Sequence, residues 1–187
     1  MVAYRQFLDA AGEKYPPHCG RASYHTHPAR SALGNARHMI AIHQATIQDL
    51  DRLAPLFDSY RQFYGQKSDP EGAREFLLER FRHSESIIFI ASRDGEAIGF
   101  TQLYPSFSSI AMEPLHVLSD LFVATEARKL GAARSLLKSA VEFARSVGSR
   151  QLMLQTATTN VAAQALYESA GWQRDMAFYV YEFTSAS

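Results

Sequence analysis

The chain reads as an α/β protein of one main domain: a mixed, mostly antiparallel central sheet of about six or seven strands with helices on both faces. Three observations predict this. Two helical periodicities come first, an antiparallel meander follows, and the remainder alternates helix, strand, helix, strand. With 187 residues, 47% of them hydrophobic and 20% charged, there is material for a substantial core and for little more than one ordinary domain.

The first apolar alternation begins at Met39 and predicts a strand over 39–45. Leu50, Leu53, Leu56, Phe57 and Tyr60 recur at helical spacing and predict a helix over 47–64. Asp69-Pro70, a capping residue followed by proline in the first turn, opens a second helix that carries Ala73, Phe76, Leu77 and Phe81 on one face. Strands over 86–92 and 97–104 flank Asp94-Gly95, a strong short hairpin signal. Pro114 precedes a strand over 115–123. Helices over 131–147 and 160–170 and strands over 151–157 and 177–183 complete the series.

Residues 1–38 differ from the rest. They hold four of the seven histidines, three of the seven prolines and the single cysteine, without periodicity, and carry a net charge of +3 against −3 for residues 39–187. They read as a flexible N-terminal extension, with Met39 a candidate start of the functional domain. His18, Cys19, His25 and His27 lack the spacing of a zinc site, so no metal is expected.

Nineteen basic residues balance nineteen acidic ones, which argues against a phosphate-backbone partner such as nucleic acid. The longest strongly apolar run, 87–91, falls far short of the roughly 20 residues of a membrane span. No secretory h-region opens the chain, so a cytoplasmic location is the default.

The most informative segment is the strand-to-helix turn 121–134. The helix beyond it is marked by Ala133, Leu136, Leu137, Ala140, Val141 and Ala144, and it begins at Gly131-Ala132-Ala133. Small residues there leave the first-turn N–H groups open to close approach, and four such donors have no partner within a helix. An anion at that point meets the positive end of the helix dipole, with Arg128, Lys129, Arg134 and Lys138 beside it. The same residues also suit a helix packed closely on a sheet with a solvated basic face. Neither a G-x-x-x-x-G-K-[ST] loop nor a G-x-G-x-x-G turn is present, which argues against nucleotide hydrolysis and hydride transfer.

A second constellation, Asn160, Ala163 and Tyr167, lies on one stripe of the 160–170 helix. Capping by Asn160 and partial burial of Tyr167 would also account for it.

Together the two constellations resemble the GNAT superfamily of acetyl-coenzyme A-dependent N-acetyltransferases, over roughly 39–183. Arg128-Lys129-Leu130-Gly131-Ala132-Ala133 meets the R/Q-x-x-G-x-G/A signature, and Asn160, Ala163, Tyr167, Glu168 and Gly171 meet the later Asn-x-x-Ala-x-x-x-Tyr-Glu-x-x-Gly pattern. Leu118-Ser119-Asp120-Leu121-Phe122-Val123 is also similar to the central strand of diamine and polyamine acetyltransferases. Two positions depart from the usual pattern, Thr125 where proline is common and Lys129 where glycine is common; neither removes a required donor.

The resemblance implies that Leu121, Phe122 and Val123 pair with the pantetheine arm of acetyl-CoA and that amides from Arg128 to Ala133 hold its diphosphate. It also implies that Asn160 and Ala163 line the same cleft, that Tyr167 protonates the departing thiolate, and that the protein forms a homodimer. An N–H near Val123 is the expected oxyanion donor.

An alkyl ammonium of pKa about 10.4 is neutral in about one molecule in 2,500 at pH 7, a deficit of roughly 4.6 kcal/mol, so a base is required. Alternation places His116, Leu118, Asp120 and Phe122 on one face of a central strand, and Asp120 is the candidate base or amine-orienting group. Structural hydrogen bonding is the other reading of that carboxylate. Tyr60, Tyr64, Tyr104, Phe107 and Glu113 are the candidate acceptor-binding residues, since aromatic faces and negative charge hold cations; they also suit a core or an interface. The expected acceptor is a small-molecule amine (a polyamine, an amino acid or an aminoglycoside) or a protein N-terminus. A catalytically silent acyl-CoA-binding regulatory module is the alternative.

Overall fold

The computed structural model describes residues 39–183; the 1–38 extension, with His18, Cys19, His25 and His27, lies outside the described residues. The chain divides into two compact units after Leu154.

The first unit holds a five-stranded sheet in the order β1-β2-β3-β4-β5, made of β1 (Ala41–Gln44), β2 (Ile87–Arg93), β3 (Glu96–Ser108), β4 (Glu113–Val123) and β5 (Gln151–Met153). Every pairing is antiparallel except β4 with β5. Helices α1 (Leu50–Phe63) and α2 (Pro70–Arg82) connect β1 to β2, and α3 (Ala132–Ser146) connects β4 to β5. The second unit contains α4 (Val161–Ser169). No described helix is long and apolar enough to cross a membrane.

Local chemistry explains the boundaries. Thr46 and Asp49 form a reciprocal capping box that starts a short 3-10 turn, Ile47–Asp49, from which α1 runs on. Asp69 accepts a hydrogen bond from the Gly72 N–H and Pro70 fills the first position of α2. Asp94 and Gly95, both at positive φ, turn β2 into β3.

Alternation then sorts the sheet into two faces. Ile88, Ile90, Phe100 and Phe122 pack with Leu50, Leu53, Phe57 and Leu77 under α1 and α2. On the opposite face Phe89 and His116 meet Phe143 of α3, with ring centroids 5.9 and 5.5 Å apart. Burial holds His116 below the ordinary imidazole pKa, so it sits in this apolar layer as a neutral ring.

Gly99 lies on β3 where the β4 backbone leaves no room for a side chain. A Cβ at this position would lie 2.6 Å from the Phe122 carbonyl oxygen and 3.1 Å from Val123 Cγ2. Gly99→Ala is therefore expected to cost roughly 1–3 kcal/mol of stability, as for other overpacked sites, read as a lowered urea midpoint.

Three expectations are corrected. The sheet has five strands rather than six or seven, and 177–183 carries no strand; alternation supplies suitable side chains, but a strand exists only where a neighbour completes its ladder. The strand expected over 151–157 stops at Met153. His116, Leu118, Asp120 and Phe122 do not share one face, because the register steps from Leu103 opposite Leu118 to Gln102 opposite Asp120. Ser119 is the extra residue of a β-bulge, and it reverses the pleat between Leu118 and Asp120.

Candidate active site

The bulge governs the chemistry of the first unit. It leaves His116 against α3 and turns Asp120 toward α1, where the Tyr60 and Ser119 hydroxyls donate to its carboxylate. The Thr101 hydroxyl fixes the distortion by donating to the Asp120 carbonyl at 2.8 Å. Asp120 is 8% exposed. Burial raises its pKa above the ordinary carboxylate value, and the two hydroxyls oppose that rise only in part.

Around Asp120 the structure gathers aromatic and polar groups. Tyr60 stands with its ring 5.8 Å from Phe100 and 6.1 Å from Phe122, and Tyr64 packs edge-on against it at 5.1 Å. Gln102, directly opposite Asp120 in the register and fully buried, donates to Ser86 Oγ at 2.8 Å and to Tyr104 Oη at 3.0 Å. Burial, and then the charge of Asp120, raise the Tyr104 pKa.

Tyr60, Tyr64 and Tyr104 thus belong to one neighbourhood. Phe107 and Glu113 do not. Phe107 lies opposite Pro114 and Glu113 opposite Ser108, near the outer end of the β3–β4 hairpin and about 20 Å along the strand from Asp120. Phe107 is 72% exposed, and Glu113 forms an ion pair with Arg150 at 3.3 Å. Sequence reasoning missed Gln102 and Ser86; the signal available was Thr101-Gln102, two consecutive polar residues in an otherwise apolar strand.

The outer edge of β4 is only partly covered. Its pairing with β5 covers only Leu115–Val117. From Leu118 to Val123 that side of β4 has no strand neighbour among the described residues.

The turn beyond β4 holds the segment expected to meet an anion. Thr125–Ala127 forms a 3-10 turn, Arg128 is extended, and Lys129 and Gly131 adopt positive φ of 63° and 90°. A left-handed conformation at Lys129 costs about 1–2 kcal/mol, strain concentrated in the segment that would meet the ligand. Gly131 is the N-cap of α3 and supplies no side-chain cap bond to its first turn.

The Arg128 side chain serves the turn itself: Nε donates to the Val123 carbonyl at 3.1 Å, and the guanidinium lies 5.6 Å from the centre of the Phe63 ring. An open groove of about 720 Å³ runs from this arginine along α1, floored by Leu56, Phe122 and Ala124. Lys138 pairs with Glu142 at 3.7 Å.

Gly131→Val is expected to raise the KM for acetyl-CoA about tenfold with kcat little changed, because the left-handed strain either distorts the cradle or is paid on binding. Initial rates at varied acetyl-CoA measure this.

In the second unit, Asn160 caps α4, its side-chain oxygen accepting from the Ala163 N–H at 3.3 Å. Tyr167 packs against Trp172 with ring centroids 6.1 Å apart, and its carbonyl accepts from the Trp172 N–H at 3.0 Å. Among the described residues no group of three or more His, Cys, Asp or Glu side chains is placed to hold a metal.

A turn with two left-handed residues thus joins a strand with one open edge to the N-terminus of α3. Comparison with known proteins gives the class. Residues 53–172 match the acetyltransferase (GNAT) family. The chain is 47% identical over 140 residues, 75% of this chain and 94% of the relative, to the uncharacterized N-acetyltransferase YhfO of Bacillus subtilis (strain 168).

Among solved structures, it is similar to a probable acetyltransferase with a TM-score of 0.75 and 42% identity, covering 79% of this chain and 99% of the other. It shares its fold with an aminoglycoside N-acetyltransferase in complex with CoA, at a TM-score of 0.68 and 20% identity, over 82% of this chain and all of the other. The chain belongs to the GNAT family and is an acetyl-CoA-dependent N-acetyltransferase.

Proposed function

We propose that this acetyltransferase moves the acetyl group of acetyl-CoA directly to a primary amine, with Asp120 accepting the ammonium proton or orienting the amine and Tyr167 acting as general acid. The observation that carries the reading is the desolvated carboxylate at the β4 bulge, held by Tyr60 and set beside the open stretch of β4.

Acetyl-CoA supplies an activated acyl carbon. The amides of Arg128 to Ala133 hold its diphosphate, Leu121, Phe122 and Val123 align its arm, and Asn160 and Ala163 line the cleft, following the family pattern. An incoming ammonium finds a cation-binding wall in Tyr60, Tyr64 and Tyr104. Its proton passes to the Asp120 carboxylate, whose raised pKa brings it closer to that of the amine it must deprotonate. The N–H near Val123 meets the carbonyl oxygen as charge develops there, and the Tyr167 phenol supplies a proton to the leaving sulfur.

The acceptor class is a small-molecule amine or a protein N-terminus, and the protein acts as a cytoplasmic homodimer. Acetyl-CoA consumption is to be measured against polyamines, amino acids, aminoglycosides and peptide N-termini. Turnover of at least one class is expected. Stabilisation on melting by acetyl-CoA with no amine consumed would instead favour a silent acyl-CoA-binding module.

A further inference from the structure

The corner between α1 and α2 contains a buried charge that the chemistry above does not use. Asp58 is 4% exposed and accepts four hydrogen bonds: from Arg61 Nη1 at 3.2 Å, Gln62 Nε2 at 2.9 Å, Ser68 Oγ at 2.7 Å and the Asp69 N–H at 2.9 Å. The Asp69 amide first, and the side-chain donors with it, hold the Asp58 carboxyl below its ordinary pKa against the cost of burial. A carboxylate is withdrawn from water only where such donors replace its hydration.

Two of the four donors belong to the last turn of α1 and two to the approach of α2. The carboxylate therefore ties the end of one helix to the start of the next. Arg61 reinforces the tie by also reaching the Lys67 carbonyl at 3.4 Å. Tyr60 and Tyr64, the wall over Asp120, lie in or beside this tied segment. The rest of the α1–α2 contact does not involve Asp58: it is apolar through Leu53, Phe57, Ala73 and Leu77, with one exposed ion pair, Arg74 Nε to Asp51 Oδ1 at 2.9 Å.

We infer that Asp58 is a positioning residue for the acceptor side of the site: by fixing the corner between α1 and α2 it sets the angle at which the Tyr60 hydroxyl meets Asp120. The inference rests on Asp120 being the group that meets the amine.

Asp58→Asn keeps the shape but turns an NH₂ toward a set of donors. The expected result is a fall of about 10- to 100-fold in kcat/KM for the amine, the range for a misplaced site, with the KM for acetyl-CoA changed less than about twofold. Ser68→Ala, which removes one donor from the corner, is expected to give a smaller loss of the same kind and serves where Asp58→Asn fails to fold. Each is combined with Tyr60→Phe in a double-mutant cycle.

Losses that are less than additive with Tyr60→Phe support positioning through Tyr60. Additive losses, or a lowered melting temperature with unchanged amine kinetics, overturn it. Asp120→Asn separates the two levels: if it abolishes amine turnover while both corner variants behave as wild type, only the role of Asp58 fails. If Asp120→Asn has no effect, the underlying reading fails as well.

Discussion

Asp120→Asn is expected to lower kcat/KM for the amine by about 100-fold or more, with acetyl-CoA affinity retained, in line with the 10²–10⁴ range for a lost general base. The substitution keeps the volume and the Tyr60 hydroxyl can still donate to the amide oxygen, so the loss reports charge rather than packing.

The pH dependence gives a second check. Asp120 works as the carboxylate, and burial has raised its folded pKa, so kcat/KM declines as pH falls through that raised value and recovers above it. In Asp120→Asn this acidic limb disappears while the residual rate still rises with the fraction of neutral amine. An acidic limb that survives the substitution unchanged would assign it to another group and leave Asp120 a structural role.

Tyr167→Phe is expected to reduce kcat by about 100-fold while the KM for acetyl-CoA stays within about threefold. Phenylalanine keeps the ring that packs on Trp172, so the helix is not the cause of the loss. A phenol of pKa about 10 and a thiol of pKa about 8.5 are close enough for the hydroxyl to share its proton with the sulfur as the bond breaks, but not for full transfer in advance. The benefit is confined to the transition state, which is why turnover rather than binding carries the effect. Steady-state rates with both substrates varied make the test, and an unchanged kcat in the phenylalanine variant rejects the acid role.

Local signals in the sequence proved dependable where one residue type does one job. Asp69-Pro70 opened α2, Asp94-Gly95 turned β2 into β3, and Gly131 stands at the mouth of α3 at the left-handed φ that glycine tolerates. Asp120 was legible as a charge on a central strand. The surroundings that give it chemistry were less so, because they depend on register.

The extra residue at Ser119 has no local signature, since Leu118-Ser119-Asp120 reads as plain alternation until its pairing with Leu103 and Gln102 is known. Asp58 looks in sequence like a solvent-facing acid on an amphipathic helix. Its burial comes from Ser68 and Asp69 folding back over it, ten residues on. The 177–183 segment erred in the opposite direction, its side chains suiting a strand that the structure does not form there.

The early parting of β5 from β4 has a cost when no acyl donor is present. An open strand edge is adhesive toward any stretched polypeptide, including a sister molecule, and if the acyl carrier lies along this edge as proposed, clumping is expected to fall when acetyl-CoA is added.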